Sequence, residues 1–215
     1  MTASEILARI DALPVRNTPA IRRVRRAISK ELAQAPRADV LALAYELILL
    51  APARRWVAYE LVQHHASAAQ RIALSEVERL GDGMADWASV DTFSCYIAGP
   101  AWRAGQIANA SVHRWAKSND RWWRRAALVS TVPLNVRAQG GTGDAPRTIE
   151  VCDLLAGDRD EMVVKALSWA LRALVPHHRT AVIRFLSRRD GDLAALVKRE
   201  VRNKLATGRK SGHDH

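Results

Sequence analysis

The sequence predicts an all-α protein, arranged as a HEAT-like α-solenoid of antiparallel helix pairs. Apolar residues recur with a period close to 3.6 along nearly the whole chain, and no segment convincingly shows the period of two that is typical of strands. Short turns join the helical segments, and repeat units of roughly 40 residues would give about five pairs, although no sequence repeat is legible. Such stacks curve, and their concave face is an extended binding surface.

Apolar stripes place the individual helices along the chain. By residue number, the predicted helices cover 21–32, 40–48, 56–62, 72–80, 107–115, 122–134, 148–155, 162–174, 181–186 and 193–205. Glycine and proline are expected to break the helical pattern at Pro36, 81–83, 99–100, Gly157, Pro176 and Gly191. Ser118, Asn119 and Asp120 are N-cap candidates for the helix near residue 122. Residues 138–146 are predicted as a loop, and the short segment before Asn17 suggests a truncated first pair.

One domain is expected to occupy most of the chain. Residues 1–206 are predicted to form a single helical-repeat domain, which is long enough to bury a sizeable core. Residues 207–215 are predicted to be a disordered polar tail, either a weak basic arm or simply a solvated terminus. Hydrophobic residues make up 48% of the chain and charged residues 26%, as in ordinary globular proteins.

The charge balance indicates a polyanionic partner. The formal net charge is +11 at pH 7 and the isoelectric point is about 10.6. A surplus of this size favours nucleic acid first and an anionic membrane surface second. Because arginine is also abundant in proteins from GC-rich genomes, the charge needs support from motifs.

Several other classes of function are not supported. Cys95 and Cys152 lie in apolar helical contexts and are predicted to be buried free thiols. The histidines lack metal-ligand spacing, and no glycine-rich phosphate loop is present. No apolar run approaches the roughly 18 residues of a membrane span, and the N-terminus lacks a signal-peptide pattern. We expect a soluble, cytoplasmic monomer with no metal, no cofactor and no membrane partner.

Seven tryptophans stand in a chain with 33 lysines and arginines, and three of them lie beside charges at helical spacing. Trp87 and Asp91 are four residues apart, so their side chains face the same way. Trp122 with Arg125, and Trp169 with Arg172, repeat a spacing of three. Aromatic faces beside arginine forks suit a surface that holds a phosphate backbone and contacts a sugar.

Each of these pairs also has a structural interpretation. Trp87 could be a core residue with Asp91 as a surface or capping carboxylate, which composition alone favours. Trp122 could be a core residue beside a solvated arginine pair, Arg124 and Arg125. Trp169 lies nearly opposite Leu167 and Leu171 on its helix, which slightly favours exposure of the tryptophan.

Three motifs in register resemble the AlkD-like DNA alkylation repair family of HEAT-like DNA glycosylases. Trp87 to Asp91 matches the family's Trp-x-x-x-Asp pattern, and residues 115–127 (WAKSNDRWWRRAA) are similar to its W…S…W-x-R-R-A stretch. Residues 165–172 (KALSWALR) resemble its K-A-x-G-W-x-L-R-E helix, with Ser168 where glycine is usual. The resemblance covers most of residues 17–205. Ala88 is a departure, because the family often has aspartate there.

The resemblance implies a fold, a reaction and residue roles. It implies a C-shaped stack of helix pairs with a basic concave groove for duplex DNA, and excision of cationic N3- or N7-alkylated purines without a conventional base-flipping pocket. Asp91 would be the catalytic carboxylate, Trp87 and Trp169 would cup the deoxyribose, and Arg125 would contact a phosphate, with Arg124 less favoured. The cationic residues expected to complete the DNA-binding surface are Arg172, Lys198 and Arg199, together with Trp122.

Three functions therefore compete at the level of sequence. The first is a monofunctional DNA glycosylase in base excision repair, and the second is a non-catalytic HEAT-like protein that binds branched or damaged DNA. The third is a HEAT scaffold for protein partners, which the charge and the tryptophan–arginine pairs disfavour. Release of a methylated base would separate the first two, and salt-sensitive DNA binding would separate both from the third.

Overall fold

The computed structural model describes residues 1–211, and within them the regular structure is helical, with no strand. The helices, numbered in chain order, are α1 (Ala3–Asp11), α2 (Thr18–Glu31), α3 (Arg37–Leu50), α4 (Arg55–Gln63), α5 (Ala66–Gln70), α6 (Leu74–Gly81), α7 (Trp87–Phe93), α8 (Gly99–Arg103), α9 (Asn109–Ala116), α10 (Arg121–Val129), α11 (Val132–Asn135), α12 (Ala145–Leu154), α13 (Glu161–Arg188) and α14 (Ala195–Thr207). The all-α prediction is confirmed.

The chain divides into two compact units, Met1–Met84 and Ala85–His215. The proposed single domain over residues 1–206 stays a prediction. Helix α14 ends at Thr207, and residues 212–215 of the predicted tail lie outside the described residues. None of the helices in residues 1–211 has the length and apolar character of a membrane span.

The first unit begins with a helix that the apolar stripes did not predict. Thr2 caps α1, and its partner Glu5 completes a capping box. Ala3, Ile6 and Ile10 are fully buried, and α1 packs against α2 and α3. The segment before Asn17 therefore contributes a packed helix, which the sequence signal missed because the stripe is only three residues long.

A buried acid organises the arginines of α2. Glu60 on α4 is 2% exposed, and its carboxylate accepts hydrogen bonds from Arg22 Nε at 2.7 Å and Arg25 Nε at 2.9 Å. Two cations satisfy the charge that burial would otherwise make costly. Arg25 of the basic α2 sequence is therefore internal, and Glu60 offsets part of the positive charge of α2.

In the second unit, residues 87–103 are continuously helical. Glycine and proline at 99–100 predict a break, but Gly99 has helical angles, and Pro100 follows a turn in which the Gly99 N–H donates to the Ser94 oxygen, so the regular hydrogen bonding that a proline interrupts is already irregular there. A π-helical turn, Ser94–Ala98, joins α7 to α8. A Cβ on Gly99 would lie 2.7 Å from Pro133 Cγ and 2.7 Å from the Ser130 backbone oxygen. Glycine is required there by close packing, and the predicted break is wrong.

Helix α13 is the packing centre of the second unit and contacts α10, α12 and α14. Pro176 lies inside it, so the break predicted at this proline is displaced. The backbone leaves helical geometry two residues later, at His178, with φ −136° and ψ 56°. Val163, Leu167, Leu171 and Leu174 form its buried stripe. The segment of α13 before the kink supplies side chains to the site described next.

Candidate active site

The site begins at the capped N-terminus of α7. Asp86 accepts a hydrogen bond from the backbone N–H of Ser89 at 2.9 Å, which makes it the N-cap residue. Its other carboxylate oxygen accepts from Ser89 Oγ at 2.6 Å. This cap starts the helix at Trp87, and one turn later the same face carries Asp91. Both side chains line one cleft, as their spacing predicts.

Helix α10 presents an arginine to Asp91. Asp120 caps this helix by accepting from the backbone N–H of Trp122 at 2.8 Å. One turn further on, Arg125 Nε donates to Asp91 Oδ1 and Arg125 Nη2 donates to Asp91 Oδ2, both at 2.8 Å. The two parallel hydrogen bonds form the bidentate arrangement that fixes a carboxylate most firmly.

Arg125 also reaches a third helix. Its Nη1 donates to the backbone oxygen of Met162 in the first turn of α13. Three of the five N–H donors of this guanidinium are thus occupied inside the protein. The side chain is only 7% exposed. Arg125 therefore ties α7, α10 and α13 together around the carboxylate.

The surroundings of Asp91 shift the pKa of its carboxyl group. Its side chain is 18% exposed, and burial raises its pKa above the usual range. The hydrogen bonds and the charge of Arg125 oppose that rise, and the nearby charge of Asp86 adds to it. Since each carboxylate oxygen has two acceptor positions, each keeps one for another donor.

The cleft around Asp91 has a volume of about 310 Å³. It is lined by Trp87, Asp91, Arg125, Met162, Lys165, Trp169, Arg172, Glu200 and Lys210, all from the second unit. Trp87 is 58% exposed, which is unusual for a side chain with so large an apolar area. Trp169 is half-buried, while Leu167 and Leu171 are buried, as their opposite placement on α13 predicts.

A second polar cluster forms the α13–α14 side of the cleft. Ser168 Oγ donates to Glu200 Oε2 at 2.7 Å and accepts from Arg172 Nε at 3.2 Å. Lys210 Nζ lies 3.4 Å from Glu200 Oε1. Glu200 is 12% exposed and Arg172 17% exposed, so the pair is largely withdrawn from solvent.

Four of the predicted DNA-binding residues lie outside this cleft. Arg124 donates to Asp158 at 2.8 Å and to two backbone oxygens, and Lys198 Nζ donates to the Asp190 backbone oxygen at 3.0 Å. The Arg121 guanidinium stacks over the half-buried Trp122 ring at 4.8 Å. Arg199 is exposed. The structure thus brings Asp91, Trp87, Trp169, Arg125 and Arg172 together but leaves these four apart.

Sequence reasoning passed over several residues of the cleft. Lys165 lies inside the 165–172 motif, but the sequence alone gives it no separate role. The sequence does not predict Glu200 and Lys210 as site residues, because an acid in a basic helix and a lysine in a polar terminus are ordinary surface patterns. Of the two alternatives for the tail, Lys210 now favours a basic arm that reaches the site.

The two cysteine thiols lie outside the cleft, and the described residues form no cluster that could hold a metal ion. Cys95 and Cys152 are buried and unpaired, as predicted. Burial raises the pKa of Cys95 to about 12 and the pKa of Cys152 further still. Over residues 1–211, no group of three or more histidine, cysteine or acidic side chains is placed to hold a metal ion.

The comparison with protein families gives one match. The model described as "DNA alkylation repair enzyme" matches residues 15–205, which include every residue of the cleft except Lys210. No curated protein and no solved structure matches the chain significantly. The matched range agrees with the resemblance carried by the three tryptophan motifs, and it supports a role in DNA repair. The chain belongs to the family of DNA alkylation repair enzymes.

Proposed function

We propose that the protein is a monofunctional DNA glycosylase that excises N3- or N7-alkylated purines from duplex DNA. The observation that carries this proposal is the Asp91 carboxylate, held at two points by Arg125 in a cleft that also exposes Trp87 and Trp169. Family membership supports DNA as the substrate. The choice of a hydrolytic glycosylase over another repair activity rests on the chemistry of this cleft.

The chemistry requires stabilisation of a transient cation on the sugar. An alkylated purine is already positively charged, so the electrons of its N-glycosidic bond leave with the base and neutralise it. Positive charge then develops at C1′, and a water molecule adds there and loses a proton. A preorganised carboxylate stabilises such charge without reorganising during the reaction. The free acceptor positions of Asp91 can also orient the water.

The two tryptophans can also stabilise the positive charge that develops at C1′. An indole face attracts a cation by roughly 0.5–2 kcal/mol, depending on how far the contact is desolvated. Trp87 is exposed enough to contact a sugar without moving. A site built on sugar and backbone contacts has no need to enclose the base, which is consistent with an open cleft of about 310 Å³.

Arg125 takes a different role from the one that the resemblance implies. As a phosphate contact it would need a free guanidinium, but three of its donors are engaged by Asp91 and Met162. We propose that Arg125 positions Asp91 and keeps it ionised. The pairing offsets the cost of burying the carboxylate.

The wider DNA interface is part of the same proposal. We propose that the helices form HEAT-like repeats with a basic groove for duplex DNA, and that Lys198, Arg199 and Trp122 contribute to that groove. Arg124, like Arg125, is engaged inside the protein, by Asp158 and two backbone oxygens, so we do not propose it as a DNA contact. We propose that the protein acts as a cytoplasmic monomer without a cofactor. The net charge of +11 favours this partner.

Excision of a methylated base tests the proposal. The purified protein is incubated with duplex DNA that contains N7-methylguanine, and abasic sites are measured against the spontaneous rate. The proposal predicts release of the free base and intact strands until the abasic sites are cleaved chemically. Salt-sensitive DNA binding without base release would instead favour a non-catalytic DNA-binding protein, and the absence of both would favour a protein scaffold.

A further inference from the structure

A second arginine of the cleft, Arg172, has more free donors than Arg125. The Nε of Arg172 donates to Ser168 Oγ at 3.2 Å, and its closest approach to Glu200 is 3.6 Å. Within residues 1–211, its two Nη groups donate no hydrogen bond. The guanidinium lines the same cleft as Asp91. Burial lowers its pKa from the usual arginine value, and Glu200 opposes that shift.

Ser168 determines where this guanidinium points. Its side chain is fully buried, and its hydroxyl donates to Glu200 Oε2 at 2.7 Å while it accepts from Arg172. The hydroxyl thus stands between the cation and the acid. Without it, Arg172 could pair with Glu200 directly and at two points, which is the preferred geometry of an arginine and a carboxylate. Ser168 therefore leaves the two Nη groups of Arg172 available to bind a ligand.

The local charge remains positive after this pairing. Glu200 has two cationic neighbours, Arg172 at 3.6 Å and Lys210 at 3.4 Å. One acid cannot neutralise both, whereas Lys165, the other lysine of the cleft wall, is paired with Glu161. A planar fork with a surplus of positive charge matches a phosphate group, which accepts two parallel hydrogen bonds.

We propose that Ser168 and Glu200 position Arg172 so that its two Nη groups bind a DNA phosphate beside the nucleoside that reacts at Asp91. In this arrangement Arg125 holds the Asp91 carboxylate, and Arg172 binds the DNA backbone. Ser168 and Glu200 are positioning residues, because they act through Arg172. The inference rests on the proposed function, since it requires DNA in this cleft.

Binding to a short duplex of undamaged DNA, measured over a range of salt concentrations, tests the inference. Losing one phosphate contact lowers the slope of log affinity against log salt by about 0.9. Arg172→Ala should show that change, with a loss of affinity on the order of 10- to 100-fold, as for charge-assisted hydrogen bonds. Arg184→Ala is the matched control, because Arg184 is an exposed arginine on the same helix and does not line the cleft. Its slope should stay close to that of the wild type.

Ser168→Ala tests the positioning step. Alanine suits a buried helical position, so the fold should survive. The variant should bind DNA more weakly than the wild type, but in the Arg172→Ala background it should have no further effect, because residues that act as a unit are not additive. Equal slopes for Arg172→Ala and Arg184→Ala would overturn the inference, as would an unchanged effect of Ser168→Ala once Arg172 is absent. A wild type that binds with normal salt dependence but excises nothing would overturn the proposed reaction and leave this inference standing.

Discussion

Arg125 holds Asp91 at both carboxylate oxygens, with Nε to Oδ1 and Nη2 to Oδ2 each at 2.8 Å. The two side chains come from α10 and α7, and they are 7% and 18% exposed. A carboxylate fixed in this way, beside a tryptophan exposed to solvent, is what stabilisation of a developing sugar cation requires. The ion pair is thus both part of the site and part of the packing.

The ion pair predicts coupled effects on stability. Arg125→Met should lower the free energy of unfolding by about 3 kcal/mol, because it leaves a mostly buried carboxylate unpaired. In Asp91→Asn/Arg125→Met the unpaired charge is gone, so the double variant should lose much less than the sum of the two single variants. Urea unfolding of the four proteins measures this. Additive losses would mean that the two residues act independently.

Excision should depend on the ionisation of Asp91. Burial raises the pKa of this carboxyl group, while Arg125 opposes the shift. Only the ionised form stabilises a cation, so the rate should fall as the pH drops through the raised pKa. The acid limb of the single-turnover rate, with spontaneous depurination subtracted, should therefore lie above the usual aspartate value of about 3.9. An acid limb that persists in the residual activity of Asp91→Asn would assign the titration to another group.

Trp87 should matter for the reaction more than for the fold. Because its side chain is 58% exposed, Trp87→Leu should change the unfolding free energy by no more than about 0.5 kcal/mol. Leucine keeps apolar bulk but has no π face, so excision should slow clearly. Trp87→Phe keeps a weaker aromatic face and should lie between leucine and the wild type. Equal rates for the leucine and phenylalanine variants would argue against an aromatic contact with the sugar.

Gly99 should tolerate no side chain. In Gly99→Ala the new Cβ would lie 2.7 Å from Pro133 Cγ and from the Ser130 backbone oxygen, and 2.8 Å from the Ser94 backbone oxygen. Overpacking of this kind costs on the order of 1–3 kcal/mol. Gly157→Ala is the matched control, since its Cβ would have nothing within 4 Å, and it should leave thermal stability unchanged or slightly raised. If the two variants have the same melting temperature, the close contact at Gly99 is not rigid.

Local sequence patterns predicted much of this structure and failed at identifiable points. Helical periodicity located the main helices, because burial of one face is a property of each segment. Breaks are predicted at Pro100 and Pro176, but Pro100 follows a π-helical turn, where the helical hydrogen bonding is already irregular, and the backbone of α13 leaves helical geometry at His178, beyond its proline. Helix α1 was missed because its buried stripe has only three residues.

In the site, too, sequence patterns predict the features that depend on one helix and miss the contacts between distant residues. The spacing of Trp87 and Asp91 predicts that they share a face, and both line the cleft. The pairing of Arg125 with Asp91 joins residues 34 positions apart, and no pattern in one sequence reports such a contact. The same limit applies to Glu200 and Lys210, whose place in the cleft depends on how α14 packs against α13.

Asp91→Asn, assayed on duplex DNA with N7-methylguanine, tests the catalytic role of the carboxylate most directly. The substitution keeps size and shape but removes the negative charge, so excision should fall by on the order of 10²–10³. DNA affinity should stay level or rise slightly, because a carboxylate repels phosphates. A thermal melt confirms that the variant is folded despite the loss of its ion pair with Arg125. Full activity of folded Asp91→Asn, or a wild type that releases no cationic base, would contradict the assignment of Asp91 as the catalytic carboxylate.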